Sequence, residues 1–532
     1  LKQRHLLVLF ALLLVLTACV RDQPQIIVIT ATFPSQVVEV VPADYTPPPV
    51  PLVPLALSPV PDTPVTNPTL DVVSGQTVEL ATEHTVQPGD TLFEIAQKYG
   101  ASLESLLAVN NITDANIIAV GQVIKLPPAP SQTTPIFKII PDSRLVRAPG
   151  SKVFDIVGFI ATQPGYIRQA TDEVGTRQAN GAELKLTLTA AQVVERVALE
   201  YSVDPRLLLA ILEYRAGWLS KPQLSPEQIT HPLIAIANSG GIDRSGLYRQ
   251  LAWAANELNR GYYAWKTRGL KLLEMTDGTR LTYGSGLNAG TIGVQYFLAL
   301  NNIKAIWERD VSQNGLYRTY YAYFGDPFLQ AVDPLVPITL EQPPLTLPFA
   351  AGKIWYFTGG PHGGWNGGSA WAALDFAPPD ERTAETPFCY SSKYPVTAVA
   401  PGIIARSGDG AVILDLDNDA DESTGWTIFY LHLTDVIAPG TQVNVGDILG
   451  YSSCAGGFST ATHLHIARRF NGEWLPADCS QCIPGHERPA FVMSGWRTLG
   501  IANAEYQGFL ENGTTQLQAE QGRNNPINQI SW

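Results

Sequence analysis

The sequence predicts a multidomain chain: a small βααβ unit, a mainly α-helical middle domain and an all-β C-terminal domain. Three observations carry this. A length of 532 residues exceeds what one core usually organises, and a hydrophobic share of 45% leaves apolar residues for several. A proline-rich stretch precedes a compact segment that begins near residue 84. The apolar pattern is helical from Thr189 onward, and after residue 345 it changes to short alternating runs broken by Gly, Pro, Asn and Asp. The net charge of −13, with no basic tract, argues against a nucleic-acid partner.

Residues 1–18 read as an export signal. Lys2, Arg4 and His5 form a basic start, and Leu6 to Leu16 is an apolar run too short to span a bilayer comfortably. Leu16-Thr17-Ala18-Cys19 resembles the lipobox of bacterial lipoproteins. The resemblance implies lipid attachment at Cys19 and a protein held at the outer face of the cell membrane, facing the wall. Residues 19–82 are rich in Pro, Thr and Val, as in Thr46-Pro47-Pro48-Pro49-Val50-Pro51, and read as an extended linker.

Residues 83–128 form the βααβ unit. A strand at His84 leads through Gln87-Pro88-Gly89-Asp90 into a helix with Leu92, Ile95, Ala96 and Tyr99 on one face, and Gly100 stops it. A second helix covers Ser102 to Val109 and ends at Asn110-Asn111; Val120 to Pro127 is the returning strand. The unit resembles the lysin motif (LysM), in the turn Gly89-Asp90-Thr91-Leu92 and the ending Gly121-Gln122-Val123-Ile124. That family binds N-acetylglucosamine-containing glycans such as peptidoglycan, which implies glycan contacts at Gly89, Asp90, Thr91, Asn111 and Ile112.

The middle domain is expected over 136–335. Val193, Val194, Val197 and Ala198 share a helix face, and Asp204-Pro205 opens a buried helix through Ile211. Val203-Asp204-Pro205-Arg206-Leu207-Leu208-Leu209-Ala210-Ile211 resembles the catalytic helix of lysozyme-like lytic transglycosylases. Arg215-Ala216 stands where that family carries Glu-Ser, and Glu213 is rotated about 200° away on a helix. The expectation is a degenerate lysozyme-like domain without transglycosylase chemistry. Trp218, Trp253, Tyr262, Tyr263 and Trp265 read as core more readily than as sugar platforms.

Residues 345–500 are the all-β domain, with 501–532 as an extension. Its chemistry centres on His463-Leu464-His465, where strand alternation projects both imidazoles from one face. His362, Asp375 in Leu374-Asp375-Phe376, and His432 in Tyr430-Leu431-His432-Leu433 complete the set. The order and the motifs resemble the lysostaphin-type zinc metallopeptidases, which cleave peptide bonds in peptidoglycan. Pro395 to Gly402, Gly440 to Gly450 and Ser459-Thr460 extend the match. His362 and Asp375 are 13 positions apart with a glycine-rich loop between, as in the staphylolytic, LasA-like branch; Ala461-Thr462 replaces the usual Gly-Pro. The resemblance implies a duplicated-hybrid-motif β domain in which His362, Asp375 and His465 bind Zn2+. His432 and His463 then stay unbound as catalytic residues, one taking the water's proton and returning it to the leaving amine, the other stabilising the charged tetrahedral intermediate.

Four cysteines of an exported protein are expected as disulfides, Cys389–Cys454 and Cys479–Cys482. The run Asp415, Asp417, Asp419 and Asp421 hints at calcium but lacks the Gly and distal Glu of an EF-hand loop, so it reads as a solvated hairpin turn. The function expected is a lipid-anchored, LysM-targeted zinc endopeptidase of the bacterial cell wall. The alternative is a wall-binding lipoprotein that tethers the envelope or activates another hydrolase.

Overall fold

The computed structural model describes residues 83–127 and 132–532, apart from 88, 89, 100, 102, 116, 524 and 525. The export signal, Cys19, the linker and Gly89 lie outside the described residues. No helix among the described residues is long and apolar enough to cross a membrane.

The first unit pairs β1 (Glu83–Thr85) with β2 (Val123–Lys125), and α1 (Leu92–Tyr99) and α2 (Leu103–Asn110) lie between them in sequence. Val86, Leu92, Ile95, Ala96, Leu106 and Ile124 form its core. Asn111 ends α2 in the left-handed region, at φ 53°.

The middle domain is less purely helical than its sequence pattern implies. Short helices at Asp142–Leu145 and Ile156–Ala161 precede a hairpin of β3 (Thr171–Arg177) and β4 (Glu183–Thr189). Then follow α3 (Ala190–Tyr201), α4 (Pro205–Ala216) and α5 (Leu247–Arg268), a small hairpin β5 (Leu272–Glu274) and β6 (Arg280–Thr282), and α6 (Ala289–Ala299). Sequence reading missed β3–β4 because the strand Glu-Leu-Lys-Leu-Thr-Leu-Thr is mostly exposed and borders a helix directly. Thr189 caps α3 with a full capping box through Gln192, and Asp204 with Pro205 starts α4. At the place of a transglycosylase acid, Arg215 pairs with buried Asp310 at 3.4 Å. Glu213 is occupied by the backbone N–H groups of Leu219 and Ser220 and the Ser220 hydroxyl.

The C-terminal part is built from antiparallel strands. These are β7 (Trp355–His362), β8 (Ala373–Ala377), β9 (Pro395–Thr397), β10 (Gly402–Gly408), β11 (Ala411–Asp415), β12 (Trp426–Leu431), β13 (Leu433–Thr434) and β14 (Gln442–Val443). They continue with β15 (Ile448–Ser452), β16 (Leu464–Phe470), β17 (Glu473–Trp474), β18 (Val492–Met493), β19 (Trp496–Gly500), β20 (Gly508–Asn512), β21 (Thr515–Gln518) and β22 (Gln529–Ile530). The main sheet runs β14-β10-β11-β12-β16-β8-β7-β22, with β17 on β16. A three-stranded sheet, β13-β15-β9, and a four-stranded one, β18-β19-β20-β21, complete the domain. A boundary at residue 500 does not hold: β20 pairs with β19 and β22 with β7, so residues 501–532 belong to this domain.

Alternation along the main sheet gives it two cores. Leu414, Ile428, Tyr430, Leu464 and Ile466 face the small sheets. Ile413, Phe429, Leu431, Ala467 and Trp474 face the middle domain and share one core with Leu251, Ala255, Leu258 and Tyr262 of α5. The same contact carries buried charge. Lys266 of α5 bonds both oxygens of Glu473, at 2.8 and 2.7 Å, while Tyr262 Oη donates to Glu473 at 2.6 Å. Burial opposes the Glu473 carboxylate, but Lys266 and Arg488 hold its pKa below the ordinary value. Glu473→Ala strands two cations in a dry contact. It is expected to lower stability by about 3–5 kcal/mol, measured by denaturant unfolding of the full chain.

Candidate metal centre

Register brings the first two groups together. β16 lies between β12 and β8, so His465 stands opposite Leu431 on one side and Asp375 on the other. β7 pairs with β8 through two irregularities, one between Gly359 and His362, which carry His362 to the end of the strand opposite Ala373. Gly359 is required at this approach, because a Cβ there would lie 2.7 Å from Asp375 Oδ2. His432 interrupts what sequence reads as one strand from Thr427 to Leu433. It sits at φ 66°, and its carbonyl accepts from the N–H of Ser453 at 2.6 Å and from its hydroxyl at 3.0 Å. His463 lies just before β16 and bridges to Ser453.

The five side chains of the sequence-derived set converge. Asp375 Oδ1 is 3.2 Å from His362 Nε2, 3.3 Å from His465 Nδ1 and 3.6 Å from His463 Nε2. The His432 and His463 rings are 4.6 Å apart between centroids. His362, Asp375, His432 and His465 are buried; the His463 side chain keeps 18% exposure.

Backbone carbonyls set each imidazole's proton. His362 donates from Nδ1 to Gly360 O at 2.8 Å, and His465 donates from Nε2 to Gly364 O at 3.0 Å. Their other nitrogens, 3.0 Å apart, turn lone pairs toward each other and toward Asp375 Oδ1, a buried oxygen without a hydrogen-bond partner. Three electron-pair donors so arranged call for a cation, and one atom from each lies within 4.8 Å of the others. Nitrogen and carboxylate oxygen are the donor set that zinc accepts, so these residues fit such an ion. The electrostatics agree. Burial opposes charge on His362, yet Asp375 raises its pKa above the ordinary value; burial opposes the Asp375 carboxylate, yet His362 and His463 hold it well below. His432 is pushed well below the usual imidazole value by burial and by His463 and His465. It donates from Nδ1 to Ala455 O at 3.0 Å, which leaves Nε2 free to accept.

Sequence reading missed two neighbours, both in the segment taken as an extension. The Tyr506 ring stacks on His362 with centroids 4.3 Å apart and planes 19° apart, and Glu505 Oε1 accepts from Gly363 N at 3.0 Å. Nothing local marks either residue; β20 and β22 bring the segment back to β7. The other expected residues are placed as follows. Asp415, Asp417 and Asp419 gather in the β11–β12 turn, where Asp415 accepts from Asp417 N and Ala420 N. Cys389 is bonded to Cys454 and Cys479 to Cys482. In the first unit, Asp90 is tied to His84 Nε2 at 2.7 Å, Thr91 and Asn111 are exposed, and Ile112 is half-buried.

Comparison with known proteins gives the class first. Residues 84–127 match the LysM domain and residues 138–337 match "LasA, N-terminal domain". The chain is LasA-like and contains a LysM domain. It is 24% identical to protease LasA of Pseudomonas aeruginosa (strain UCBPP-PA14) over 294 residues, 52% of this chain and 65% of that protein. The match thus spans less than two thirds of LasA's length. N-acetylmuramoyl-L-alanine amidase XlyB of Bacillus subtilis (strain 168) is 55% identical over 47 residues, 9% of this chain and 15% of that one. Among solved structures, the M23 metalloprotease pseudoalterin shares 21% identity over 34% of this chain and 96% of its own, with a TM-score of 0.26. The catalytic domain of lysostaphin from Staphylococcus simulans shares 28% over 23% and 86%, with a TM-score of 0.17.

Asp375→Ala removes the shared anion and is expected to abolish metal uptake. His432→Ala is expected to retain one equivalent. Elemental analysis of the purified full chain after dialysis checks both.

Proposed function

We propose that the chain is a zinc endopeptidase acting on peptide bonds of peptidoglycan, with His362, Asp375 and His465 as ligands. The observation that carries this reading is the convergence of two imidazole lone pairs on the partnerless Asp375 Oδ1, with two further histidines alongside. Likeness to a protein named as a protease, over more than half of the chain, supports the reaction class. Likeness of the LysM segment to a wall amidase supports the substrate.

Zinc held there would supply Lewis acidity to a water and to the scissile carbonyl. The chain's own residues do the rest. His432 is kept neutral by burial and neighbours, with Nε2 unprotonated, so it is able to receive the proton of the attacking water and return it to the leaving amine. His463 donates from Nδ1 to Ala461 O at 2.7 Å, which fixes its ring with Nε2 toward Asp375. Protonated at Nε2, it would donate to the negative charge that develops on the carbonyl oxygen. Loss of His432 would remove proton handling, loss of His463 would remove charge stabilisation, and either would leave the ligand set whole.

The LysM domain supplies residence on the glycan and no chemistry, and in this reading the lipobox Cys19 holds the chain at the membrane face of the wall. Mass spectrometry of digested peptidoglycan is expected to show new amino termini within stem peptides or cross-bridges, abolished in His465→Ala. Anhydro-muramyl ends persisting in that variant would instead locate glycan cleavage in the middle domain. Deleting residues 84–127 is expected to slow digestion of insoluble wall and to leave cleavage of a soluble cross-bridge peptide unchanged.

A further inference from the structure

The Cys-x-x-Cys motif of the β domain takes no part in the proposed reaction. Cys479 and Cys482 lie in the loop between β17 and β18, whose ends are joined where Phe491 N donates to Ala477 O at 2.8 Å. The two disulfides of this domain differ in setting. Cys389–Cys454 joins residues 65 positions apart, and Cys454 is fully buried. Cys479–Cys482 joins residues 3 positions apart, and both its cysteines are only half-buried. A ring this short removes less freedom from the unfolded chain, so it adds less stability than the long one. A sulfur within reach of solvent is also the kind that exchanges. The two half-buried sulfurs are not equivalent. Cys479, and not Cys482, lines a cavity of about 580 Å³, together with Asp478, Arg488, Arg497, Leu499 and Phe509. Cys479 Sγ also accepts from Arg488 N at 3.0 Å. That donor is held in place, because Arg488 is buried and its guanidinium donates to Glu473 Oε1 at 3.4 Å. A disulfide sulfur is a weak acceptor and a thiolate a strong one, so this N–H favours the reduced, anionic state of Cys479 over the bridge.

We propose that Cys479–Cys482 is a site of thiol–disulfide exchange, with Cys479 as the sulfur that forms the mixed disulfide and a protein dithiol as the partner. The cavity beside Cys479 is large enough to receive a short segment of that partner carrying the attacking sulfur. In the reducing direction, one thiolate of the dithiol attacks Cys479 Sγ from the cavity, and Cys482 leaves as a thiolate. The partner's second thiolate then attacks its own sulfur in the mixed disulfide. Cys479 leaves as the thiolate to which Arg488 N donates. Two electrons pass to this chain and the partner closes its own disulfide. The two protons that the dithiol gives up are taken by Cys479 and Cys482. The reverse sequence closes the bridge again: Cys479 attacks the partner's disulfide, and Cys482 displaces the partner from the mixed disulfide. The site shares no residue with the metal centre, so the inference stands independently of the zinc reading.

The test titrates dithiothreitol against the folded full chain. Free thiols are trapped by alkylation and located by peptide mass spectrometry, while circular dichroism follows the fold. Cys479 and Cys482 are expected to become alkylated at a dithiothreitol concentration about tenfold or more below the one that opens Cys389–Cys454, with the fold intact. Opening of both bridges together, only as the chain unfolds, marks Cys479–Cys482 as a structural bridge and overturns the inference. This titration needs no substitution, so it decides the matter even where a variant does not fold. Cys482→Ser and Cys479→Ser each leave one thiol of the pair. Near neutral pH, Cys482→Ser is expected to form a mixed disulfide with oxidised glutathione several-fold faster than Cys479→Ser. Equal rates overturn the assignment of Cys479 as the exchanging sulfur. Thioredoxin whose second active-site cysteine is replaced by serine is expected to remain bonded to Cys479 of the parent chain; no such adduct overturns a protein dithiol as the partner.

Discussion

One buried oxygen, Asp375 Oδ1, constrains much of what surrounds it. It sits among imidazole nitrogens whose protons are committed to backbone carbonyls, so its charge must be met by a cation or by a proton on a neighbouring histidine. Satisfying it requires β8 beside β16 in the register that sets Asp375 opposite His465. It also requires the irregular end of β7 that brings His362 across. A slip of one residue in β16 would turn His465 into the small-sheet core and bring Ile466 to Asp375. The hydrophobic alternation of Leu464, Ile466 and Arg468 against His465, Ala467 and Arg469 prevents that slip, since Leu464 and Ile466 fill the opposite core.

The same face of the sheet that presents the site also meets the middle domain. Phe429 joins the two, packing edge-on against Trp365, His465 and Trp474. The charged contacts across the boundary, Lys266 with Glu473 and Arg147 with Glu422, are buried at their carboxylate ends. Buried pairs of this kind contribute little net stability but penalise every arrangement that separates the partners. They therefore define how α5 sits against β17, and through Trp474 and Asn256 they reach the loop that carries the ligands.

What was legible in the sequence follows the range of the interactions concerned. The lysin-motif elements, the Asp204-Pro205 start of α4 and the strands β10, β11 and β16 rest on local spacing and capping, which a sequence displays. The convergence of the set was legible because metal chemistry restricts residue type as well as spacing: few side chains serve, and His362, Asp375 and the His-x-His pair stand in strand-like surroundings. Non-local partners were hidden. Tyr506 lies beside His362 only because β20 and β22 return to the sheet, and Asn256 is one of several buried polar residues on α5, with Gln250, Asn259 and Lys266. The β3–β4 hairpin was missed although Leu184, Leu186 and Leu188 alternate with polar residues along β4, because the strand runs without a break into α3.

Burial has two consequences for the chemistry. Low-dielectric surroundings strengthen the pull between Asp375 and the imidazoles and disfavour a charge on His432. They also restrict approach, because of the four histidines at the centre only His463 keeps a partly open side chain. The partly open side of the cluster is therefore at His463, and Phe388 and Phe458, in the segments that bond to Thr462 and to Arg177, are exposed. Phe388 O accepts from Thr462 N, and Arg177 of the middle domain lies over the Phe458 ring, so this edge too is built by both domains.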